Sequence, residues 1–364
     1  MNDEHLVPHP PKKALSRVSC HNPVMAVRLK DIAEDLGVSV VTVSKVLRDH
    51  SDISTATKQR VWKRMRELNY RPNLTARALV TGRSYAIGLI VPDLTNSFFA
   101  EVAKGISRAI REKRYCLVIA SSEEDATLER QEIEQLLARR VDALILASTQ
   151  KSASGLKELD EHLVPYVLID RSFPGKTANF VGMDDVEIGR LATRHLIECG
   201  YRRIAHIAGP NRSTASGRRQ GYEMELAGQG IKVPPGYVTT GKTGDDSGDL
   251  SGFAAMRELL GRNPRPDAVF CFNDPICLGA LRAILEAGLS VPGDIGLIGC
   301  GNIKYSELLR VPLSTIDQNA AALGEEAARL ALGLIESTGS KNGDRDSETV
   351  LVKPRLVARQ STTG

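Results

Sequence analysis

Residues 236–243 read GYVTTGKT and match G-x-x-x-x-G-K-[ST], a pattern whose backbone N–H groups cradle phosphates. In that chemistry Lys242 would reach the terminal phosphate oxygens and Thr243 would hold magnesium. The loop works only between a buried strand and a helix. Here it follows the loop-like LAGQGIKVPP, its own YVTT reads as the strand, and GDDSGDLSG after Thr243 is a poor helix start. The one apolar run ending in an acid, VLID at Asp170, lies upstream, the reverse of the order a magnesium-holding strand requires. Lys242 is therefore expected to be a solvated loop lysine.

Other chemistry has less support. The seven histidines form no H-E-x-x-H cluster, and no G-x-S-x-G elbow occurs. Cys20, Cys116, Cys199, Cys271, Cys277 and Cys300 lack C-x-x-C spacing and mostly sit in apolar runs such as AVFCFND, so they read as reduced, buried small hydrophobes. No metal, no cofactor and no enzymatic activity are expected. The opening MNDEHLVPHPPKKALSRVSCHNPV has no apolar core for a secretory signal, and no run approaches the roughly 18 apolar residues of a membrane span. A cytoplasmic chain without membrane partners is expected, its first 26 residues a disordered extension.

Charge singles out one region. From Arg28 to Arg83 there are twelve Lys or Arg against six Asp or Glu, whereas residues 84–364 carry 33 against 36, within an overall net charge of +4. A basic module in front of a near-neutral domain is a nucleic-acid footprint. The elements that position this charge are short helices. In LKDIAEDLGVSVVTVSKVLRD, Leu29, Ile32, Ala33 and Leu36 share one face, Gly37 turns the chain, and Val43, Val46 and Leu47 repeat the spacing after Ser39, a plausible N-cap. Two short helices joined at a glycine form a helix-turn-helix. A third helix begins after Ser54 and uses Val61, Met65 and Leu68 to close the core. Core packing leaves Val40, Val41, Ser44 and Lys45 on the second helix, where Lys45 suits guanine O6 or N7 and the valines suit thymine methyls in the major groove. The segment NLTARALVTG from Asn73 is too short to be a stable helix alone.

From Ile87 onward, apolar runs (IGLIVPD, CLVIASS, DALILAS, PYVLIDR, RIAHIAG, AVFCFND, IGLIGCG) alternate with helical patterns. That rhythm predicts doubly wound parallel sheets in two lobes, with ligand at the carboxyl ends of the strands.

These residues resemble the lactose-repressor and galactose-repressor family of bacterial transcription regulators. The resemblance rests on LKDIAEDLGVSVVTVSKVL, ARALVTGRSYAIGLIVPDLTNSFFAEVAKGI, PYVLIDR, HLIECGYRRIAHIAGP, RRQGYE, FNDPICLGAL and VKPRLVARQST, and runs from about Arg28 to the C-terminus. It implies an all-α helix-turn-helix domain followed by an α/β two-lobed domain like a periplasmic binding protein. It further implies a homodimer on a double-stranded, pseudo-palindromic DNA operator, controlled by a small-molecule effector (a sugar, sugar acid or related metabolite) in the interlobe cleft. The matched positions place Arg28, Ser39, Val40, Val41, Thr42, Ser44 and Lys45 at the DNA. Asn73, Ala76 and Leu79 fall in a hinge helix that folds on DNA, Leu79 as a minor-groove wedge or as packing against its dimer mate. Phe98, Phe99, Asp170, Arg218 and Asn273 are placed in the effector cleft. Each also has a plainer reading: the phenylalanines as core, Asp170 and Asn273 as helix caps, Arg218 as a surface cation beside Arg219.

The expected domains are 1–26, the extension; 27–72, the DNA-binding unit; 73–83, the hinge; 84–182 with 314–342, the first lobe; and 183–313 with 343–364, the second. Departures from the family pattern are Gly301 and Asn302 in GCGN in place of an acidic pair, Ser247 where relatives place an aromatic, and Arg28 where a capping Thr is common. The lost acid and the fork of Arg218 predict an anionic or sugar-acid effector. Without its first 83 residues the chain would pass for a solute-binding protein of a transport system; the basic helix-turn-helix argues against that role.

Overall fold

The computed structural model describes residues 27–47, 50–70, 78, 82–173, 175, 178–240, 248–337 and 347–363. The expected extension, the hinge residues Asn73, Ala76 and Leu79, and Lys242, Thr243 and Ser247 lie outside these residues. The chain divides into two compact units, Met1–Val80 and Thr81–Gly364.

In the smaller unit, helices α1 (Leu29–Leu36), α2 (Val40–Leu47) and α3 (Thr55–Glu67) enclose a core of Ile32, Ala33, Val43, Val46, Val61 and Met65. The turn between α1 and α2 is a Schellman motif: Gly37 adopts φ 64°, its N–H donates to the Glu34 carbonyl, and the Val38 N–H donates to Ala33. Only glycine takes that conformation cheaply, so this residue sets the angle between the two helices. Ser39 caps α2 as expected, its Oγ accepting from the Thr42 N–H at 3.0 Å. The cap missing at Arg28 is partly made good by Asp31, whose carboxylate accepts from the Arg28 N–H at 2.7 Å.

The larger unit contains two six-stranded sheets. The first holds β1 (Ala86–Val91), β2 (Cys116–Ser121), β3 (Ala143–Leu146), β4 (Tyr166–Ile169), β5 (Phe180–Met183) and β11 (Thr349–Val352), in the order 11-5-4-3-1-2. The second holds β6 (Ile204–Ile207), β7 (Val238–Thr239), β8 (Ala268–Cys271), β9 (Gly296–Cys300), β10 (Ser314–Asp317) and β12 (Arg355–Val357), in the order 12-10-9-8-6-7. Both are parallel except for the antiparallel β10–β12 pair. Each order reverses beside its first strand, so each sheet has a switch point at the carboxyl ends of β1 and β3, or of β6 and β8.

The lobe boundaries differ from those expected. Strand β10 pairs in parallel with β9, through Thr315 and Gly299, and so belongs to the second lobe; β11 pairs with β5, through Val350 and Val181, and belongs to the first. The chain therefore crosses after Met183, after Asp317 and after Val352. Cys116 is exposed rather than buried because β2 is a sheet edge.

Helices α4 (Ser97–Arg111), α7 (Asp185–Glu198), α8 (Ser213–Gly228), α9 (Gly248–Leu260), α10 (Asp274–Glu286) and α11 (Ala320–Ser337) cover the sheets, with α5 (Ala126–Ala138) and α6 (Lys157–Glu161) on the first lobe. Three pairs cross backbone to backbone through reciprocal glycines. A Cβ on Gly105 would overlap the Ala321 carbonyl and one on Gly324 that of Val102; the α7–α8 and α9–α10 crossings repeat the device at Gly189 and Gly221 and at Gly252 and Gly279. The α7–α8 crossing sets the position of the cleft residues.

Candidate functional site

Two sites stand on separate units. On α2, Val40 and Val41 are 42 % and 62 % exposed although Val43 and Val46 beside them are buried. Exposed β-branched side chains on a helix whose core face is already filled form an apolar patch available to a groove. Thr42, Ser44 and Lys45 lie beside them, half-buried. Ser39 and Thr42 share a hydroxyl contact of 2.9 Å, so both are committed to the cap. Arg28 is exposed one residue before α1. Lys45 is not an extended cation: its Nζ donates to Asp52 Oδ2 at 2.5 Å, and His50 Nδ1 lies 3.6 Å from the other carboxylate oxygen. Sequence reasoning missed Asp52 because it approaches from the loop after α2.

The second site lies between the lobes. Arg218, one turn into α8, is 2 % exposed and is no surface cation. Its Nε donates to Asp185 Oδ1 at 2.9 Å, its Nη1 donates to the Phe272 carbonyl at 2.7 Å, and its guanidinium lies over the Phe272 ring at 4.4 Å. Asp185 opens α7, and the glycine crossing of α7 on α8 brings it there; a Cβ on Gly217 would meet the Asp185 side chain at 2.7 Å. Burial pushes the Asp185 carboxyl up to about 7, only partly opposed by Arg218. Asp170 follows β4 with φ 61° and is 9 % exposed. Burial also raises its carboxyl, against the attraction of Arg171 and Arg218, and Arg171 Nε lies 3.7 Å from its Oδ2. A non-glycine residue held in the left-handed region at a strand end is the kind of strain that marks binding sites.

The remaining expected residues divide. Asn273 caps α10, its Oδ1 accepting from the Ile276 N–H at 2.9 Å, so the plainer reading holds for that oxygen. Phe98 and Phe99 open α4 behind the Asn96 cap, meet edge to face at 5.0 Å and belong to the main core cluster. Asp274, beside Asn273, is fully buried, accepts from Thr315 Oγ1 at 2.7 Å and from the Ile303 N–H at 2.9 Å, and burial raises its carboxyl to about 6. Asn302, in place of an acid, bonds instead to Arg359 Nη2 at 2.8 Å and to Asp317 Oδ2 at 3.3 Å.

Around the cleft the lobes are joined by charge. Glu124, after β2, accepts a bidentate pair from Arg171 at 2.9 and 2.5 Å, and Arg212 of the second lobe reaches it at 3.3 Å. The Ser172 N–H donates to Ser213 Oγ at 3.2 Å, and Lys304 meets Glu101 at 2.6 Å. In the described part of the phosphate-loop pattern, Val238–Thr239 is an edge strand on β6, and buried Tyr237 donates to the Pro264 carbonyl at 2.9 Å, so a strand lies inside the pattern where a loop would be needed. Among the described residues, no helix is long and apolar enough to cross a membrane.

Comparison with known proteins assigns both units to a family. Residues 28–73 match the family described as bacterial regulatory proteins, lacI family, and residues 84–359 match periplasmic binding proteins and sugar binding domain of LacI family. The chain is 35 % identical over 336 residues to the HTH-type transcriptional regulator GalR of Escherichia coli (strain K12), covering 92 % of this chain and 95 % of that one. It is 35 % identical over 301 residues to the ribose operon repressor of the same strain, covering 82 % and 90 %. The crystal structure of the lac repressor dimer bound to operator and the anti-inducer ONPF superposes with a TM-score of 0.80 at 28 % identity, covering 93 % of this chain and 100 % of that one. With both units matched to one family along nearly its whole length, the chain belongs to the lacI family of bacterial regulatory proteins.

Proposed function

We propose that this chain is a repressor of transcription that binds an operator as a homodimer, one helix-turn-helix per half-site, and answers to a small effector between its lobes. The observation that carries this reading is the pairing, in one chain, of exposed Val40 and Val41 beside the half-buried Lys45 with an interlobe cluster of Asp170, Asp185 and Arg218, of which Asp170 and Arg218 are buried. It acts by binding rather than catalysis, and in the cytoplasm, where the chromosome lies. Val40 and Val41 meet thymine methyls, Lys45 a guanine, Arg28 a phosphate; Asn73, Ala76 and Leu79 act in the hinge.

The cleft geometry argues against the anionic effector expected from the sequence. Arg218 already gives its Nε to Asp185 and its Nη1 to a carbonyl, and two acids, Asp170 buried and Asp185 partly so, face one guanidinium there. An added anion would meet Asp170 and Asp185, whose own carboxyls burial already disfavours as charged groups. A neutral polyhydroxyl effector of the carbohydrate type fits better, because its hydroxyls donate to Asp170 and accept from the guanidinium N–H groups that Arg218 does not give to Asp185 or Phe272. The relatives support that class: the name of one is ribose operon repressor. Coupling to DNA follows if the effector binds two lobe arrangements with different affinity, and the Glu124–Arg212 and Glu101–Lys304 bridges are the contacts such a change must remake.

In vitro selection of bound duplex DNA, repeated with neutral sugars, sugar acids and sugar phosphates, tests this. Selection of an inverted repeat whose binding a neutral sugar alters supports it. No sequence enrichment, or a response to anions alone, sinks it.

A further inference from the structure

The only cation on the recognition helix α2 is Lys45, and the structure shows it paired. Its ammonium donates to Asp52 at 2.5 Å, and both side chains are partly exposed, at 36 % and 48 %. The loop holding Asp52 is anchored at both ends: the His50 N–H donates to the Lys45 carbonyl at 3.0 Å, and Ile53 packs against the core of the unit. Asp52 is therefore held beside the lysine by backbone and core contacts. His50 Nδ1, 3.6 Å away, is a second polar neighbour of the same carboxylate. The Asp52 carboxyl lies below its ordinary range, with the hydrogen bond from Lys45 as the largest cause.

An acidic side chain on a DNA-facing surface opposes phosphate, so its presence needs a reason. Non-specific binding to DNA is driven almost wholly by cations on phosphates, and a lysine already engaged by a carboxylate contributes little to it. In a seated specific complex the same lysine is offered guanine O6 and N7, at a fixed distance and direction, and exchanges one acceptor for two.

Resting on the assignment of α2 as the DNA-reading helix, we propose that Asp52 is a specificity-determining residue: it holds Lys45 in an intramolecular ion pair that random-sequence DNA fails to break and the correct base breaks. The gain is in discrimination, since the pair weakens both modes of binding and the non-specific mode more.

The test is a double-mutant cycle on the full chain with Asp52→Asn, Lys45→Ala and the double variant. Binding is read by anisotropy of two labelled duplexes, one of random sequence and one obtained by selection on the wild type, over a salt series. Asp52→Asn is expected to bind random-sequence DNA about 3- to 10-fold more tightly, with a salt slope steeper by about one phosphate contact. The ratio of specific to non-specific affinity should fall at least about 3-fold, and Asp52→Glu should restore it. In the Lys45→Ala background the Asp52→Asn gain should vanish. An equal gain in both backgrounds would mean a general charge effect and overturns the proposal alone, as does no gain at all. A wild-type chain that does not discriminate the two duplexes overturns the DNA-reading assignment and this proposal with it.

Discussion

Removing Arg218 tests the electrostatics of the cleft most sharply. In Arg218→Ala the largely enclosed Asp185, its side chain 14 % exposed, loses its 2.9 Å partner and Asp170 loses a neighbouring positive charge. Breaking one side of a buried pair costs about 3–5 kcal/mol, because the remaining carboxyl must either stay charged without its partner or take up a proton. The cost should depend on pH. In the wild type the Asp185 carboxyl, raised to about 7, goes from mostly protonated to mostly ionised between pH 6 and pH 8. Without Arg218 it stays protonated across that window while the unfolded chain is ionised throughout. A group raised in the folded state stabilises below its unfolded pKa and loses that contribution as pH rises through the folded value. The variant keeps losing stability over both pH units and the wild type over about one, so the penalty grows by about 1.4 kcal/mol from pH 6 to pH 8. Urea denaturation followed by far-UV circular dichroism reads the larger unit. Fluorescence of the single tryptophan, Trp62 on α3, follows the smaller unit and serves as an internal control. Arg218→Ala/Asp185→Asn should recover most of the loss and all of the pH dependence. A penalty equal at both pH values would refute the reasoning.

His206 is fully buried, stacks on Phe270 at 4.7 Å, and burial lowers its imidazole to about 4. It should contribute about 3 kcal/mol that is present above pH 6.5 and lost as pH falls toward 4, so His206→Phe should flatten the acid limb of a denaturation series. Asp185 and Asp274 slope the other way, and the comparison must be made between variant and wild type. Gly105→Val should lower stability by about 1–3 kcal/mol, read as a fall in melting temperature, because the new side chain meets the Ala321 carbonyl across the α4–α11 crossing. Val41→Ser should leave stability within about 0.5 kcal/mol and change the base preferred opposite it in a selection. Leu79→Ala should reduce operator bending and specific affinity while sparing non-specific binding; an unchanged bend angle counts against the wedge.

The helix-turn-helix was legible because Ile32, Val43 and Val46 repeat at helical spacing around one glycine, and spacing is what fills a small core. The alternating sheet was legible for the same reason. The crossing at β10 was not: Ser314 and Thr315 are polar, and they are buried because Thr362 and Asp274 satisfy their hydroxyls at 2.7 Å, a fact of tertiary structure that apolarity cannot report. Arg218 and Asp170 were named by resemblance, but their neighbour Asp185 was not, because its meeting with Arg218 depends on two helices approaching through Gly189 and Gly221. Its visible trace was the acidic pair in GMDDVEIG after a short apolar run. The expectation of an anionic effector counted the acid lost at Gly301 and not Asp185, whose bond to Arg218 weighs toward the neutral ligand proposed above.

In the function proposed above, this chain reads DNA sequence through α2 under control of a ligand between its lobes. Selection of duplex DNA on the full chain, followed by titration of the selected duplex with a neutral-sugar panel against wild type and Asp170→Asn, tests it most directly. An inverted repeat whose affinity changes with one neutral sugar in the wild type, and much less in Asp170→Asn, is expected. Binding without sequence preference, or a sugar response that Asp170→Asn leaves intact, would contradict it.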